Sequence, residues 1–225
     1  MRRIDHWCGY AVAAVALWLV AISPATAQDA ATIATQGNGK GAAPCQTCHA
    51  PDGGGQASGG FPRLAGENAV YLQAQLEAFA SGTRDNPVMK LQASALTEAE
   101  RKALAIYFSR MPAVATPDAA GTTPFADPQH LGETLATRGR WSKQVPACVQ
   151  CHGPGGVGVG ADFPPLAGQS ANYLAAQLKA FRSGSRHNDP MGLMRNISHS
   201  LSDQDIDAVA HWFAAQPFPP KESRP

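Results

Sequence analysis

Apolar residues recur with helical spacing in two well-separated parts of the chain. The positions follow an i, i+4, i+7 order, at Leu72, Leu76 and Phe79 in the first half and at Leu174, Leu178 and Phe181 in the second. Side chains spaced in this way lie on one face of an α-helix. Gly82 and Gly184 follow the two stretches, and glycine commonly ends helices because it adopts a left-handed conformation without strain. The pattern predicts a central amphipathic helix in each half.

A further helix is predicted near the end of each half. Thr97 and Glu100 have the spacing of a capping box, in which each side chain accepts a hydrogen bond from the backbone amide of the other residue. Ser202 and Asp205 repeat this arrangement. Glycine-rich segments precede the central helices, at 53–60 and 153–160. We expect these segments to be loops whose backbone passes close to a flat ligand.

The two halves are copies of one unit. Residues 61–84 and 163–186 share 16 identities in 24 aligned positions, and an internal repeat of this kind defines the domain organisation. Residues 113–127 lie between the copies, are rich in proline, alanine, glycine and threonine, and have the character of a linker. We therefore predict an all-α protein with two tandem domains, residues 28–112 and 128–225, joined by a linker at 113–127.

Residues 1–27 are predicted to be a signal peptide. Arg2 and Arg3 precede an apolar run at 11–22, and Ala25-Thr26-Ala27 matches a cleavage site. The alternative is a permanent membrane anchor, but the run is shorter than the roughly 20 residues that a spanning helix needs. We expect cleavage after Ala27, no integral membrane span in the mature chain, and a periplasmic location.

Composition and charge exclude several classes of protein. The chain has 18 Lys and Arg against 17 Asp and Glu, and removal of residues 1–27 leaves these charges balanced. Proteins that bind nucleic acid concentrate positive charge, so that class is excluded. With 44% hydrophobic and 16% charged residues, the chain is globular rather than disordered. Only 7% of residues are aromatic, so we expect something besides side chains to fill the cores.

Every cysteine after residue 27 belongs to a C-x-x-C-H motif. The motifs are Cys45-Gln46-Thr47-Cys48-His49 and Cys148-Val149-Gln150-Cys151-His152, and the remaining cysteine, Cys8, lies in the signal peptide. This spacing is the attachment signature of c-type haem. Two thiols about one helical turn apart reach the two vinyl groups of a porphyrin, and the adjacent imidazole binds the iron. We predict two haem c groups, with His49 and His152 as proximal ligands.

Three other uses of paired cysteines fit the motifs less well. A single Zn²⁺ site would join pairs that are much farther apart in sequence than in compact zinc ribbons. Redox-active disulfides of the thioredoxin type would lie in a βαβ pattern, which is missing from the sequence around both motifs. Structural disulfides are common in exported proteins. The histidine directly after the second cysteine, present twice, favours haem over all three.

The duplication also indicates the ligand on the other face of each iron. Met89 and Met194 each lie seven residues before the leucine that precedes the last helix, whereas Met111 and Met191 have no counterpart. We predict Met89 and Met194 as the distal ligands, the alternative being that both only fill the core. Four histidines compete with them but have no histidine at the matching position, namely His130, His187, His199 and His211.

The order of motifs resembles the dihaem cytochrome c4 family. Each C-x-x-C-H is followed by F-P-x-L-A-G, Y-L-x-x-Q-L, G-x-R and a methionine before a capped helix, and the resemblance covers about residues 44–112 and 128–217. It implies two class I cytochrome c domains, each with a covalent haem and His/Met ligation. It also implies that Pro62 and Pro164 support the proximal histidines, each through a carbonyl that accepts a hydrogen bond from the imidazole.

The beginning of the first unit departs from that family. Residues 28–44 have little helical periodicity, whereas residues 130–140 resemble the first helix of the family better. We therefore expect a first helix of appreciable length in the second unit and not in the first.

The predicted ligand set favours electron transfer over catalysis. An iron held by His and Met has no vacant position for O₂ or peroxide, and a thioether ligand raises its reduction potential. We expect a carrier of single electrons between respiratory or dehydrogenase donors and a terminal oxidase-type acceptor, with redox proteins as its partners. Two alternatives remain: a fixed electron-transfer subunit of a membrane dehydrogenase or oxidase complex, and a dihaem redox enzyme such as a peroxidase or a thiosulfate-oxidising cytochrome.

Overall fold

The computed structural model describes residues 27–121 and 125–218, which are helical with only isolated backbone bridges between loops. The first unit contains α1 (Ala27–Gln36), α2 (Gln46–His49), α3 (Ala69–Ser81), α4 (Pro87–Ser94) and α5 (Glu98–Arg110). The second unit contains α6 (Leu131–Thr137), α7 (Val149–His152), α8 (Ala171–Ser183), α9 (Leu193–His199) and α10 (Asp203–Ala214). The prediction of a duplicated all-α fold is confirmed.

The central helices α3 and α8 end where the sequence indicates, and a polar side chain caps the start of each. The Asn68 side chain accepts hydrogen bonds from the first backbone amides of α3, and the Ser170 hydroxyl accepts one at the start of α8. Gly82 and Gly184 end these helices in the left-handed region, with φ of 84° and 81°. Only glycine adopts these angles without strain, so both helices end there.

The last helices, α5 and α10, start at the predicted capping boxes. Thr97 and Glu100 exchange side-chain-to-backbone hydrogen bonds, and Ser202 and Asp205 do the same. In each unit the last helix packs against the central helix and a first helix, α1 or α6. This contact forms the apolar core of the unit.

The expected difference between the two first helices is wrong. Helix α1 has 10 residues, whereas α6 has 7. Ala30, Ile33 and Ala34 are buried at i, i+3 and i+4 in the core that α1 shares with α5. Small side chains give a weak hydrophobic pattern in the sequence, but packing against a neighbouring helix supplies most of the stability of such a helix.

The two units meet where α3 and α8 end. The backbone amide of Asp85 donates to the carbonyl of Ser185 at 2.7 Å, and the amide of His187 donates to the carbonyl of Thr83 at 2.9 Å. These bonds flank an antiparallel bridge between Arg84 and Arg186. The equivalent arginines of the two copies are thus brought together.

The segment between the units packs on the second unit. The Thr116 amide donates to the Gly168 carbonyl at 2.9 Å, and the Ala171 amide donates to the Ala119 carbonyl at 2.8 Å. Thr116 is buried. The described part of the expected linker is therefore held by hydrogen bonds.

Within the described ranges, none of the helices combines the length and the apolar character that a transmembrane span requires.

Candidate haem sites

The two cysteine-histidine motifs form single turns of helix. Cys45 and Cys148 cap α2 and α7, and their carbonyls accept hydrogen bonds from the amides of His49 and His152 at 3.0 and 2.9 Å. The turn places both thiols and the imidazole of each motif on one short element. The thiols, including those of Cys48 and Cys151, are free of disulfides.

The protonation states in these turns follow from burial. Burial raises the pKa of the Cys45 and Cys148 thiols to about 11, so both are neutral at neutral pH. Burial also lowers the pKa of His49 and His152, outweighing the opposing effect of a hydrogen bond to a proline carbonyl. Neutral imidazole is the form that binds a metal.

Each buried imidazole is oriented by a proline carbonyl. Nδ1 of His49 lies 2.9 Å from the carbonyl oxygen of Pro62, and Nδ1 of His152 lies 2.8 Å from that of Pro164. A carbonyl oxygen only accepts, so Nδ1 carries the proton and Nε2 keeps the lone pair that a metal would bind. The rings of Phe61 and Phe163 make edge contacts with the same imidazoles.

The glycine-rich loops bring the backbone against these proline segments. A Cβ atom added at Gly55 would lie 2.6 Å from the Pro62–Arg63 backbone, and one at Gly158 would lie 2.7 Å from the Pro165 ring. Both glycines have positive φ, at 82° and 86°. These glycines thus permit close contact with the segment that orients the histidine, and close contact with a flat ligand stays a prediction.

Met89 and Met194 lie on equivalent helices of the two units. Met89 lies in the first turn of α4 and Met194 in the first turn of α9, and both are half-buried. Helix α4 packs against α3, and α9 packs against α8. The two methionines therefore have equivalent positions in the two units.

The other methionines differ from this pair. Met111 packs on the first core, and its sulfur would contact a Cβ atom added at Gly53. Met191 is 89% exposed and has a left-handed backbone. The competing histidines also lie elsewhere: His130, His187 and His199 are exposed, and His211 stacks on Phe125.

A buried arginine cluster at the contact between the units was not predicted. Arg84 donates to Gln75, Tyr173 and Gln177, and Arg186 donates to Tyr71, Gln75, Gln177 and Asn188. Each arginine is 6% exposed, and each guanidinium lies over a phenylalanine ring. Burial and the neighbouring Arg84 charge lower the pKa of Arg186. Both arginines belong to the repeated G-x-R motif, which is the feature of the sequence that corresponds to this cluster.

The residues of this chain fit a covalently bound haem in each unit. The thiols are paired at the attachment spacing, and each buried imidazole has its Nε2 lone pair available. The hydrogen bonds of Arg84 and Arg186 go to neutral amide and phenol oxygens, with no carboxylate among the described acceptors. Buried cations require compensating anions. The two carboxylates of a haem have the required charge.

Comparison with known proteins identifies the family. The Cytochrome c family matches residues 34–112 and 131–216. A protein named thiosulfate dehydrogenase electron acceptor, from Stutzerimonas stutzeri (strain A1501), is 48% identical over 93% of this chain and 94% of its own length. Cytochrome c4 from Azotobacter vinelandii is 38% identical over 81% of this chain and 89% of its own.

A solved structure shows the same likeness. Thiosulfate dehydrogenase (TsdBA) from Marichromatium purpuratum superimposes with a TM-score of 0.75 at 41% identity. The match covers 85% of this chain and 40% of that longer chain. The relatives that match over most of their own length bear names of electron acceptors and cytochromes rather than of enzymes. The chain therefore belongs to the cytochrome c family, as a c4-like dihaem electron carrier with a haem c in each unit.

Proposed function

We propose that this dihaem cytochrome accepts electrons from a thiosulfate dehydrogenase and passes them to a terminal oxidase-type acceptor in the periplasm. The observation that carries the proposal is the 48% identity to a thiosulfate dehydrogenase electron acceptor along almost the whole of both chains. An alignment of that extent spans both haem-binding units. The resemblance to a segment of a thiosulfate dehydrogenase chain supports the same donor.

Ten residues would hold and orient the two haems. The covalent bonds would come from Cys45 and Cys48 in the first unit and from Cys148 and Cys151 in the second. His49 and His152 would be the proximal iron ligands, Met89 and Met194 the distal ligands, and Pro62 and Pro164 the supports of the imidazoles. Haem iron, when bound, alternates between Fe(II) and Fe(III) and so carries one electron.

The roles of the proline carbonyls follow from their geometry. The bonds of 2.9 and 2.8 Å fix the ring orientation and keep the proton on Nδ1. An imidazole held in this way keeps Nε2 aimed in one direction, and a carbonyl acceptor increases the basicity of the ligand. Pro62 and Pro164 would thereby make iron ligation stable in both oxidation states.

The buried arginines would neutralise haem carboxylates. Arg84 and Arg186 share the Gln75 and Gln177 acceptors across the contact between the units. Pairing of each guanidinium with a haem carboxylate would restore the charge balance of this buried cluster.

The proposal also includes the division into two domains and the export of the chain. We propose domains at 28–112 and 128–225 with a connecting segment at 113–127, and cleavage of the signal peptide after Ala27. The signal peptide itself lies outside the described residues, apart from Ala27 at the start of α1.

A rapid-mixing experiment tests the proposed donor. The purified holoprotein is mixed with thiosulfate and thiosulfate dehydrogenase, and haem reduction is followed by absorbance. We expect reduction of both haems at a rate that rises with enzyme concentration, and none when either the enzyme or thiosulfate is omitted. Failure to reduce a holoprotein that dithionite reduces fully would refute the proposed donor.

A stably docked subunit is the second candidate function. The match to 40% of a longer thiosulfate dehydrogenase chain favours it, because a cytochrome portion in that protein shares a chain with the remainder. Affinity purification of the tagged protein from its native cells separates the candidates. Stoichiometric recovery of the dehydrogenase at physiological salt indicates a docked subunit, and recovery of the cytochrome alone indicates a shuttle.

A further inference from the structure

A loop of the second unit displays a tryptophan to solvent. Trp141 is 64% exposed and lies in a single turn of 3₁₀ helix between α6 and α7. Exposed tryptophan is uncommon because its large apolar surface is normally buried, and tryptophan is enriched in the energetically dominant positions of protein interfaces. The side chain lies seven residues before Cys148, so the loop is close in sequence to the attachment turn of the second haem.

Hydrogen bonds hold the base of the loop in place, which reduces the entropy that binding would cost. The Arg140 amide donates to the Val145 carbonyl at 2.7 Å, and the Val145 amide donates to the Arg140 carbonyl at 3.2 Å. The Arg140 guanidinium also forms two hydrogen bonds to the carboxylate of Asp205, at 2.9 and 2.7 Å. Asp205 itself is part of the capping box of α10. The turn that carries Trp141 is therefore tied at its base to the core.

Comparison with the first unit shows that the fold does not require this tryptophan. Alignment of the two C-x-x-C-H motifs places Trp141 opposite Asn38 and Lys143 opposite Lys40. Asn38 donates to the Ala95 carbonyl and accepts from the Lys40 and Ala42 amides. The residue at this position thus supports the loop in one unit and faces solvent in the other. The first unit therefore serves as an internal control for the exposed tryptophan of the second unit.

Two exposed cations accompany Trp141. Arg138 and Lys143 are exposed and form no ion pair with another described residue, in contrast to Arg140. The mature chain is balanced in charge, so this is a local excess of positive charge. An acidic protein surface is complementary to it, and long-range attraction between opposite charges increases association rates.

We infer that the Trp141 loop, residues 138–144, is a docking surface for an acidic redox partner protein. The inference rests on the proposed function, because it takes that partner to be thiosulfate dehydrogenase. An anionic lipid surface fits less well. Two unpaired basic residues attract such a surface only weakly, and a single aromatic side chain buries too little area for stable attachment. A single buried tryptophan is sufficient to dominate a protein interface.

The first arm of the test measures binding to thiosulfate dehydrogenase. The Kd of the holoprotein is compared among wild type, Trp141→Ala and Lys143→Gln, with Val70→Ala and Lys40→Gln as matched controls in the first unit. Val70 is 65% exposed, close to the exposure of Trp141. We expect Trp141→Ala to raise the Kd at least about tenfold. Lys143→Gln should raise it a few-fold and reduce its salt dependence, and both controls should bind like wild type.

The outcomes of this arm separate the surface from the proposed donor. If wild type and Trp141→Ala bind the dehydrogenase equally well, the docking surface is refuted and the proposed donor stands. Equal weakening by Val70→Ala would refute the surface as well. Unchanged haem content and circular dichroism exclude misfolding of the variants.

The second arm applies if the wild-type protein does not bind the dehydrogenase. Trp141 or Val70 is replaced by p-benzoylphenylalanine in the full exported protein, and adducts formed on illumination of native cells are identified by mass spectrometry. An adduct with another redox protein from position 141, missing from position 70, supports the surface while the proposed donor fails. No adduct, an adduct with lipid, or an adduct with a second copy of this chain refutes it.

Discussion

Replacing Asp205 with asparagine is expected to lower the free energy of unfolding by about 3 kcal/mol. Asp205 is 2% exposed and forms two hydrogen bonds with Arg140, whose side chain is 27% exposed. Removal of one partner from a buried ion pair costs about 3–5 kcal/mol because the remaining charge is unpaired. Because the Arg140 side chain remains partly hydrated, we expect the cost of Asp205→Asn at the lower end of this range. Asparagine still accepts a hydrogen bond from Ser202, so most of the cap is retained.

The same helix supplies the control for this prediction. Asp207 pairs with Lys179 at 3.2 Å, and both side chains are more than 40% exposed. Exposed pairs contribute about 0–1 kcal/mol, so Asp207→Asn should differ little from wild type. Urea unfolding of the holoprotein, followed by circular dichroism, measures the difference. A cost below about 1 kcal/mol for Asp205→Asn, or equal costs for both variants, would refute the reasoning.

The contribution of Asp205 is also expected to depend on pH. Burial acts to raise the pKa of this carboxyl, but hydrogen bonds from Arg140 and Ser202 outweigh it and lower the pKa below its ordinary value. A carboxyl with a lowered folded-state pKa stabilises the protein fully above its unfolded pKa, which is about 4. The difference between wild type and Asp205→Asn should therefore be constant at pH 6–7. It should shrink as the pH falls below about 4, and a difference that grows in acid would contradict the assignment.

Three further predictions concern the haem environment. Met89→Ala and Met194→Ala should each remove half of the weak near-infrared sulfur-to-iron band of the oxidised protein and lower one reduction potential. Met111→Ala and Met191→Ala are the controls, and a band of undiminished intensity in either test variant would disprove that ligand. Arg84→Gln should lower a reduction potential in spectroelectrochemical titration, because an uncompensated haem carboxylate favours Fe(III); unchanged potentials would show that the arginine has another counterion. The reduced protein should resist carbon monoxide at both haems, and binding at one haem would indicate an open, enzyme-like iron.

The elements of the fold with local sequence signals could be predicted from the sequence. The glycine stops of α3 and α8 and the capping boxes of α5 and α10 act within a few residues, so their sequence signatures are direct. Helix α1 could not be predicted in this way. Its buried face consists of Ala30, Ile33 and Ala34, and the packing that stabilises it comes from α5, far along the chain.

The candidate haem sites also contain some features that the sequence predicts and others that it does not. The attachment turns and the prolines that contact them recur in both units, so the repeated motifs are sufficient to identify them. The arginine cluster depends on how two separate units face each other, and a G-x-R motif does not specify that arrangement. The loop that carries Trp141 is likewise attached through Arg140 to Asp205, which is 65 residues away in the sequence.

Coulometric titration of the intact holoprotein tests the central claim most directly. An electron carrier with one haem c in each unit should take up two electrons per chain. The uptake should be reversible, should account for the whole change in the haem absorbance spectrum, and should proceed without turnover of peroxide. Uptake of one electron per chain, or reduction of only half of the haem absorbance across the accessible range of potential, would contradict the account.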